Sequence, residues 1–283
     1  MPDRDGYIPG VPSWVDTNHP DAEAILPFYG ELFGWQFEDV MPEDAGGSYH
    51  MARIRGRDVA AIGGIPDGGP PMALWNTYIW VTSADDAAAK AREAGGTVLA
   101  EPFDVMTAGR MAVLADPEGA VFNVWEARDN QGAEVVNEHG ALNFNGLATR
   151  DVERAKAFYG ALFGWELLDL GGSGLMWTLP GYGDHLEENS PGLKEQVASM
   201  GGPDGFIDVV AMVNPIAEGD EHPPHWSVTF GVDDADAVAA KATELGGEIV
   251  AGPLDVPWVR MVVIKDPQGA VFIASQFVPE NAP

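Results

Sequence analysis

Three short segments of the chain set a ring and a hydrogen-bonding group two residues apart: Trp14 with Asp16, Asn76 with Tyr78 and Trp80, and Asn123 with Trp125. Side chains alternate across a strand, so a spacing of two places each set on one face. Rings beside amides suit an apolar or aromatic small metabolite, which stacks on the rings and is oriented by a few polar contacts. Trp14, Asn76, Trp80, Asn123 and Trp125 are therefore the candidate ligand-binding residues. Asp16 could act as a general base with Tyr78 or His50 as its acid partner, which makes those three the candidate catalytic residues. Aromatic residues on a sheet can also simply fill it. A cleft is favoured over a filled core because Asp16, Asn76 and Asn123 would otherwise be buried polar groups without an evident purpose.

Other chemistries find little support. The chain has no Cys, which removes disulfides, thiolate nucleophiles and Cys-ligated zinc together. His19, His139, His185 and His222 are expected as solvated loop or seam residues, and His50 and His225 at strand edges. His222-Pro223-Pro224-His225, preceded by Glu218, Asp220 and Glu221, is the one tight pair and could hold a surface cation weakly. No metal and no cofactor is expected. Arg110 and Arg260 recur at matching positions and are expected to pair with scaffold acids. With 15 Lys and Arg against 44 Asp and Glu, the net charge of −29 argues against nucleic acid as a partner. Hydrophobic residues at 46% and aromatics at 10% supply a core, so the acidity does not mean disorder. The first residues lack a basic segment leading into an apolar one, and no apolar run approaches membrane-spanning length. The expectation is a cytoplasmic monomer or homodimer with no membrane contact.

The elements that must position these residues come from an internal repeat. Phe28-Tyr29-Gly30-Glu31-Leu32-Phe33-Gly34-Trp35 returns as Phe158-Tyr159-Gly160-Ala161-Leu162-Phe163-Gly164-Trp165, an offset of 130. Asp116-Pro117-Glu118-Gly119-Ala120-Val121-Phe122 returns as Asp266-Pro267-Gln268-Gly269-Ala270-Val271-Phe272, an offset of 150, and Gly95-Gly96 returns as Gly246-Gly247. The second copy therefore carries about 20 extra residues, which composition places in a loop between Gly181 and Glu221. Asp129-Asn130-Gln131-Gly132 is a polar seam, so the domains expected are 1–135 and 136–283. Patterning predicts, in each copy, a strand (Val11–Asp16, Ala141–Gly146) and a helix (Asp21–Phe33, Val152–Phe163) stopped by Gly34 or Gly164. Further strands cover Tyr49–Ile54, Val59–Ile65 and Asn76–Val81; a helix Ala84–Ala94 and strands near 97–100, 110–116 and 120–126 complete the first copy. Phe28, Tyr29, Leu32 and Phe33 form one apolar helix face, a core signal, and the Asp-Pro-x-Gly segments are turns.

These motifs, "FYxxLFGW", "AxxAGG" and "DPxGxxF", resemble the vicinal oxygen chelate superfamily of glyoxalase I, bleomycin-resistance proteins and extradiol dioxygenases, in particular its tandem actinobacterial members labelled hydroxylases. The resemblance implies an α+β fold of tandem paired βαβββ modules, four in all, making two glyoxalase-like domains with curved sheets around a cleft. It also implies where metal-binding relatives carry His or Glu on the inner face: here Trp14, Asn76 and Asn123 in the first copy, Phe144, Ser227 and Ile273 in the second, and a position near Ala61. Trp, Phe and Ile cannot coordinate such an ion, and an isolated amide is a weak ligand. Two functions are expected from different classes. One is metal-independent binding of an apolar or aromatic metabolite, for sequestration, resistance or delivery. The other is a tailoring hydroxylase, lyase or isomerase acting on a similar metabolite.

Overall fold

The computed structural model describes residues 3–42, 46–66, 68–69, 71–201 and 203–282. The first copy contributes β1 (Pro12–His19), α1 (Ala22–Phe33), β2 (Gln36–Asp39), β3 (Tyr49–Ile54), β4 (Arg57–Gly64), β5 (Leu74–Trp80), α2 (Ala84–Glu93), β6 (Thr97–Val105), β7 (Gly109–Ala115) and β8 (Val121–Ala127). The second contributes β9 (Leu142–Thr149), α3 (Val152–Phe163), β10 (Glu166–Asp169), β11 (Leu175–Thr178), α4 (Tyr182–Asn189), α5 (Leu193–Ser199), β12 (Val209–Pro215), β13 (His225–Gly231), α6 (Ala235–Glu244), β14 (Glu248–Val256), β15 (Val259–Lys265) and β16 (Val271–Phe277). Each copy builds its own eight-stranded sheet, in the orders β2-β3-β4-β1-β5-β8-β7-β6 and β10-β11-β12-β9-β13-β16-β15-β14. Within each sheet the two βαβββ modules meet through an antiparallel pair, β1 with β5 and β9 with β13. The α+β class and the four-module architecture are as the repeat implies.

Local chemistry sets the helix ends. Asp21, Ser83, Asp151 and Asp234 are N-caps whose side chains accept from Ala24, Asp86, Arg154 and Ala237 backbone N–H groups. Gly34 and Gly164 stop α1 and α3 with φ of 72° and 74°, a conformation that glycine adopts without steric cost. Arg110 bridges Asp85 and Asp104, and Arg260 bridges Asp236 and Asp255, the scaffold pairing expected of them.

The repeated motifs do their packing across the copies. Tyr29 of α1 donates to Asp266 Oδ2 of the second copy at 2.7 Å, and Tyr159 of α3 donates to Asp116 Oδ2 of the first at 3.1 Å. Trp35 Nε1 donates to Gly140 O and Trp165 Nε1 to Gly10 O, both at 2.8 Å. A Cβ on Gly96 would lie 2.6 Å from Phe158 Cε2 and 2.7 Å from Ala115 O, and one on Gly247 would lie 3.1 Å from Phe28 Cε2. Each Phe-Tyr helix is thus seated on the double-glycine turn and the Asp-Pro turn of the other copy.

The structure corrects two expectations here. The stretch from Gly181 to Glu221 is not a loop: it contains α4, α5 and strand β12, with Tyr182 and Leu186 buried. Gly181 and Gly192 within it precede helices at φ of 86° and 93°. His19 is not a solvated loop residue: it ends β1, is fully buried, and sits 3.1 Å from Thr17 Oγ1 and 3.4 Å from Asp266 Oδ2. Burial lowers its pKa, and the Asp266 carboxylate works against that shift.

Two outcomes are expected. Gly96→Ala should lower the unfolding free energy by about 1–3 kcal/mol through overpacking. Gly64→Ala, where an added Cβ meets nothing within 4 Å, should stay within about 0.5 kcal/mol in the same denaturant titration. The folded protein binds protons at His19 less readily than the unfolded chain does. Wild type should therefore lose stability relative to His19→Gln as pH falls below the ordinary His value of about 6.5, the loss continuing through the lower folded value. A pH-independent difference between the two would overturn this.

Candidate functional site

The face of the first sheet turned away from the helices, its cup face, is fixed by strand register. Trp14 pairs with Tyr78 and Asp16 with Asn76 across β1 and β5, Asp16 with Ala61 on β4, and Tyr78 with Asn123 and Trp80 with Trp125 across β5 and β8. Seven of the eight candidates share this face.

Asp16 is its centre. Asn76 Nδ2 donates to Asp16 Oδ1 at 2.8 Å, and the hydroxyls of Tyr78 and Tyr49 donate to Oδ2 at 2.8 and 2.9 Å. Trp14 Nε1 donates to the Tyr49 hydroxyl at 3.1 Å, and Asn76 also reaches Asn18 Oδ1 at 2.7 Å. Burial raises the Asp16 pKa, and the Asn76, Tyr78 and Tyr49 hydrogen bonds oppose the rise by favouring the carboxylate. Burial, then the Asp16 charge, pushes both tyrosines well above their usual value. Oδ1 accepts one protein donor and Oδ2 two, so Asp16 holds Asn76 and both tyrosines in place.

His50 is the eighth candidate, and the structure removes it from this cluster. It neighbours Tyr49 on β3, and alternation points it to the opposite, helix-bearing face, where it is 7% exposed with Nε2 unpartnered. Tyr49 rather than His50 is the β3 residue that contacts Asp16. Tyr49 and Asn18 were missed. Asn18 lies two residues beyond Asp16 on the same strand, a signal present in the sequence; for Tyr49 the period alone could not fix which face of β3 turns inward.

The aromatic side chains assemble, but as a packed cluster. Trp14, Asp16, Asn123, Tyr78 and Trp125 are 3–7% exposed, and the Tyr78 and Trp125 rings meet edge to face at 6.3 Å. Asn76 and Trp80 are half-buried. A strap of residues 130–134 crosses one end of the sheet: Trp125 Nε1 donates to Asn130 O, Ala133 N to Ser13 O, and Glu134 N to Asp58 O. The polar segment 129–132 overlaps this strap. Asn123 makes no side-chain hydrogen bond to any described residue.

On the cup face of the second sheet, register aligns Phe144 with Thr229, Gly146 with Ser227 and Met212, and Thr229 with Ile273. Neither cup presents a cluster suited to a divalent ion: among the described residues, no group of three His, Asp or Glu could hold one. His222 and His225 are exposed, and the His225 ring nitrogen Nδ1 lies 2.8 Å from Pro223 O. Glu126 points away from the cup, its Oε2 accepting from Ala84 N at the start of α2. Two surface grooves, of about 570 Å³ lined in part by Lys156 and Trp165 and about 390 Å³ lined in part by Asp86 and Gly164, flank α3 outside both cups.

Paired βαβββ modules with helix-backed sheets define a tandem glyoxalase-like architecture. The chain belongs to the glyoxalase/bleomycin resistance protein/dioxygenase superfamily, whose family model matches residues 13–124 and 141–273. It is 40% identical over 286 residues to "Putative glyoxylase CFP32" of Mycobacterium tuberculosis (strain CDC 1551 / Oshkosh), covering 99% of this chain and 100% of that protein. It is 34% identical over 280 residues to "Anthracycline biosynthesis protein DnrV" of Streptomyces peucetius, covering 94% and 93%. Among solved structures, the Mn(II)-bound glyoxalase from Novosphingobium aromaticivorans matches with a TM-score of 0.59 at 16% identity, covering 95% of this chain and 83% of that one. The 2,3-dioxygenase LapB from Pseudomonas sp. KL28 matches at 0.58 and 13%, covering 95% and 93%. These two share the fold. Among the described residues, no helix is long and apolar enough to cross a membrane.

The Asp16 cluster generates a pH-dependent outcome. Its folded pKa lies above the unfolded value, so the folded state binds the proton more readily. Wild type should lose stability relative to Asp16→Asn as pH rises from about 3.9 through the raised folded value, and the difference should be flat above it. Thermal unfolding of both proteins across acid pH measures this; a gap that widens in the opposite direction contradicts it.

Proposed function

We propose that the protein binds a neutral, apolar, ring-bearing small metabolite and does so without a divalent ion. The observation that carries this is the donor set. The positions where metal-binding relatives would place ligands hold Trp14, Asn76, Asn123, Phe144, Ser227 and Ile273, and the nearest carboxylate, Asp16, is already engaged by three protein donors. Neutral rings and amides recognise shape and a few polar edges rather than charge. A relative named for anthracycline biosynthesis supports a fused-ring molecule as the ligand class.

The enzymatic alternative rests on Asp16, whose raised pKa suits proton transfer. Its three hydrogen bonds already hold Asn76, Tyr78 and Tyr49, so a substrate would compete with protein donors for the carboxylate, which favours binding over turnover.

A thermal-shift panel of fused-ring aromatics, with Mn(II), Zn(II) and Fe(II) in parallel, tests the reading. At least one planar compound should raise Tm, and dialysed protein should bind no stoichiometric metal. About one metal ion retained per chain, or consumption of the bound compound that Asp16→Asn abolishes, would overturn it.

A further inference from the structure

We infer that the ligand-accessible cup is the second one, and that it takes a planar apolar molecule carrying oxygen substituents and no charge; this rests on the binding function proposed above. Superimposing the copies by their repeat shows what fills each cup. Asp16 corresponds to Gly146, Tyr78 to Thr229, Trp80 to Gly231 and Trp125 to Ser275. At these four positions the second copy has lost three rings and a carboxylate. Against this, Met212 stands where the first copy has Ala61, Ile273 where it has Asn123, Val259 where it has Gly109, and Phe277, 54% exposed, where it has Ala127.

Packing around the exchange is consistent. In the first cup Gly109 makes room for Trp125, since a Cβ there would lie 2.4 Å from Trp125 Cζ2. At the matching position, opposite Phe277 and beside the strand carrying Ser275, the second copy has Val259, with no tryptophan to accommodate. At Gly231 the Glu138 backbone takes up the place of a side chain, an added Cβ meeting Glu138 O at 2.8 Å, but the carboxyl-terminal residues form no strap like that of residues 130–134. Residues 278–282 turn back on the β14–β15 hairpin, with Val278 N donating to Trp258 O and Trp258 N to Asn281 O. Phe144, Met176, Met212 and Ile273 are half-buried, whereas their counterparts Trp14, Met51, Ala61 and Asn123 on the first cup are buried; Ser227 and Met261 are half-buried, as are Asn76 and Met111.

Two hydroxyls in this cup have no partner among the described residues, while Ser227 Oγ donates to Gly146 O at 3.2 Å. Thr229 and Ser275 are 4% and 9% exposed and make no side-chain hydrogen bond to any described residue. Register puts both on the cup face, opposite Phe144 and Met261 respectively. Asn214 Nδ2 and Ser227 Oγ converge over Gly146, lying 2.9 and 3.0 Å from where a Cβ would stand. Hydroxyl and amide groups among methionines match carbonyl and hydroxyl substituents on a flat ring system, and thioethers adapt to ring faces. A charged ligand would find no counter-charge among these residues. The segment specific to this copy borders the opening: Gly205 approaches Leu168 on β10, and Gly201 lies against Trp258 in the hairpin at the other border of the sheet.

The methionines report the answer directly. Protein labelled with 13C at its methionine methyls would be titrated with 1-hydroxyanthraquinone, the resonances being assigned by single Met→Leu substitutions. Ring-current shifts are expected at Met176, Met212 and Met261, with Met51 and Met111 of the first cup unmoved. Ser227→Phe, at a half-buried position, should weaken binding at least about ten-fold while the Met51 and Met111 resonances stay in place. Shifts at Met51 and Met111 instead, or binding indifferent to Ser227→Phe, would overturn the assignment of the second cup and leave the binding function standing. Absence of binding by this probe and by every member of the thermal-shift panel would remove the binding function itself.

Discussion

The fold depends on a tyrosine of one copy held by an aspartate of the other. Tyr29 meets Asp266 and Tyr159 meets Asp116, each in a fully buried setting where an unpaired hydroxyl or carboxylate would be costly. The same aspartates turn their second oxygen to backbone N–H groups of their own turns, Glu118 and Ala120 in one copy and Gln268, Gly269 and Ala270 in the other. Each carboxylate therefore fixes a local turn and a distant helix at once. Trp75 and Trp226 complete the arrangement by donating to the two tyrosine hydroxyls. Neither Phe-Tyr helix is packed by its own copy alone, so the halves form one structure although each closes its own sheet.

That constraint explains which positions the copies share and which they do not. The identical residues line the seam: Phe and Tyr of the helix, the following Trp, the double glycine and the Asp-Pro turn. The cups lie on the far sides of the sheets and carry none of this load. They can therefore diverge, one keeping a carboxylate netted by two tyrosines and an asparagine, the other carrying glycine, threonine and serine at the corresponding places.

Much of this was legible in the sequence because it repeats with a fixed offset and alternates with a fixed period. Alternation placed Trp14, Asp16, Asn76, Tyr78, Trp80, Asn123 and Trp125 on one face, and the helical spacing of Phe28, Tyr29, Leu32 and Phe33 identified core. What period cannot show is which partner covers a face. Tyr49 reaches Asp16 through a register between β3, β4 and β1 that no local signal sets. His50 was assigned to the site for its chemistry and lies on the other side of its strand. His19 looked like a loop residue because it precedes Pro20 and the Asp21 cap, yet β1 runs on to it and Asp266 arrives from far along the chain. The inserted segment was misread for a related reason. Its glycines and acids describe solvent-facing helices as well as they describe a loop, and only burial of Tyr182 and Leu186 distinguishes the two.

The insertion also ties the amino-terminal arm to the second copy. The Arg4 guanidinium lies 5.4 Å from the Tyr7 ring and 5.9 Å from the Tyr182 ring of α4, and Tyr7 in turn packs at 6.1 Å from Trp80 at the edge of the first cup. Tyr7 also donates to Ala133 O in the strap. The arm, the strap and α4 thus brace one another beside the end of the first sheet where the strap crosses. A cation stacked between two rings resists displacement better than an exposed ion pair, because its attraction to the ring faces is less screened by water. The elements that close the first cup are therefore held by contacts that reach into the second copy. The far end of the same insertion borders the second cup, and α4 is held both by this arm and by burial of Tyr182 and Leu186.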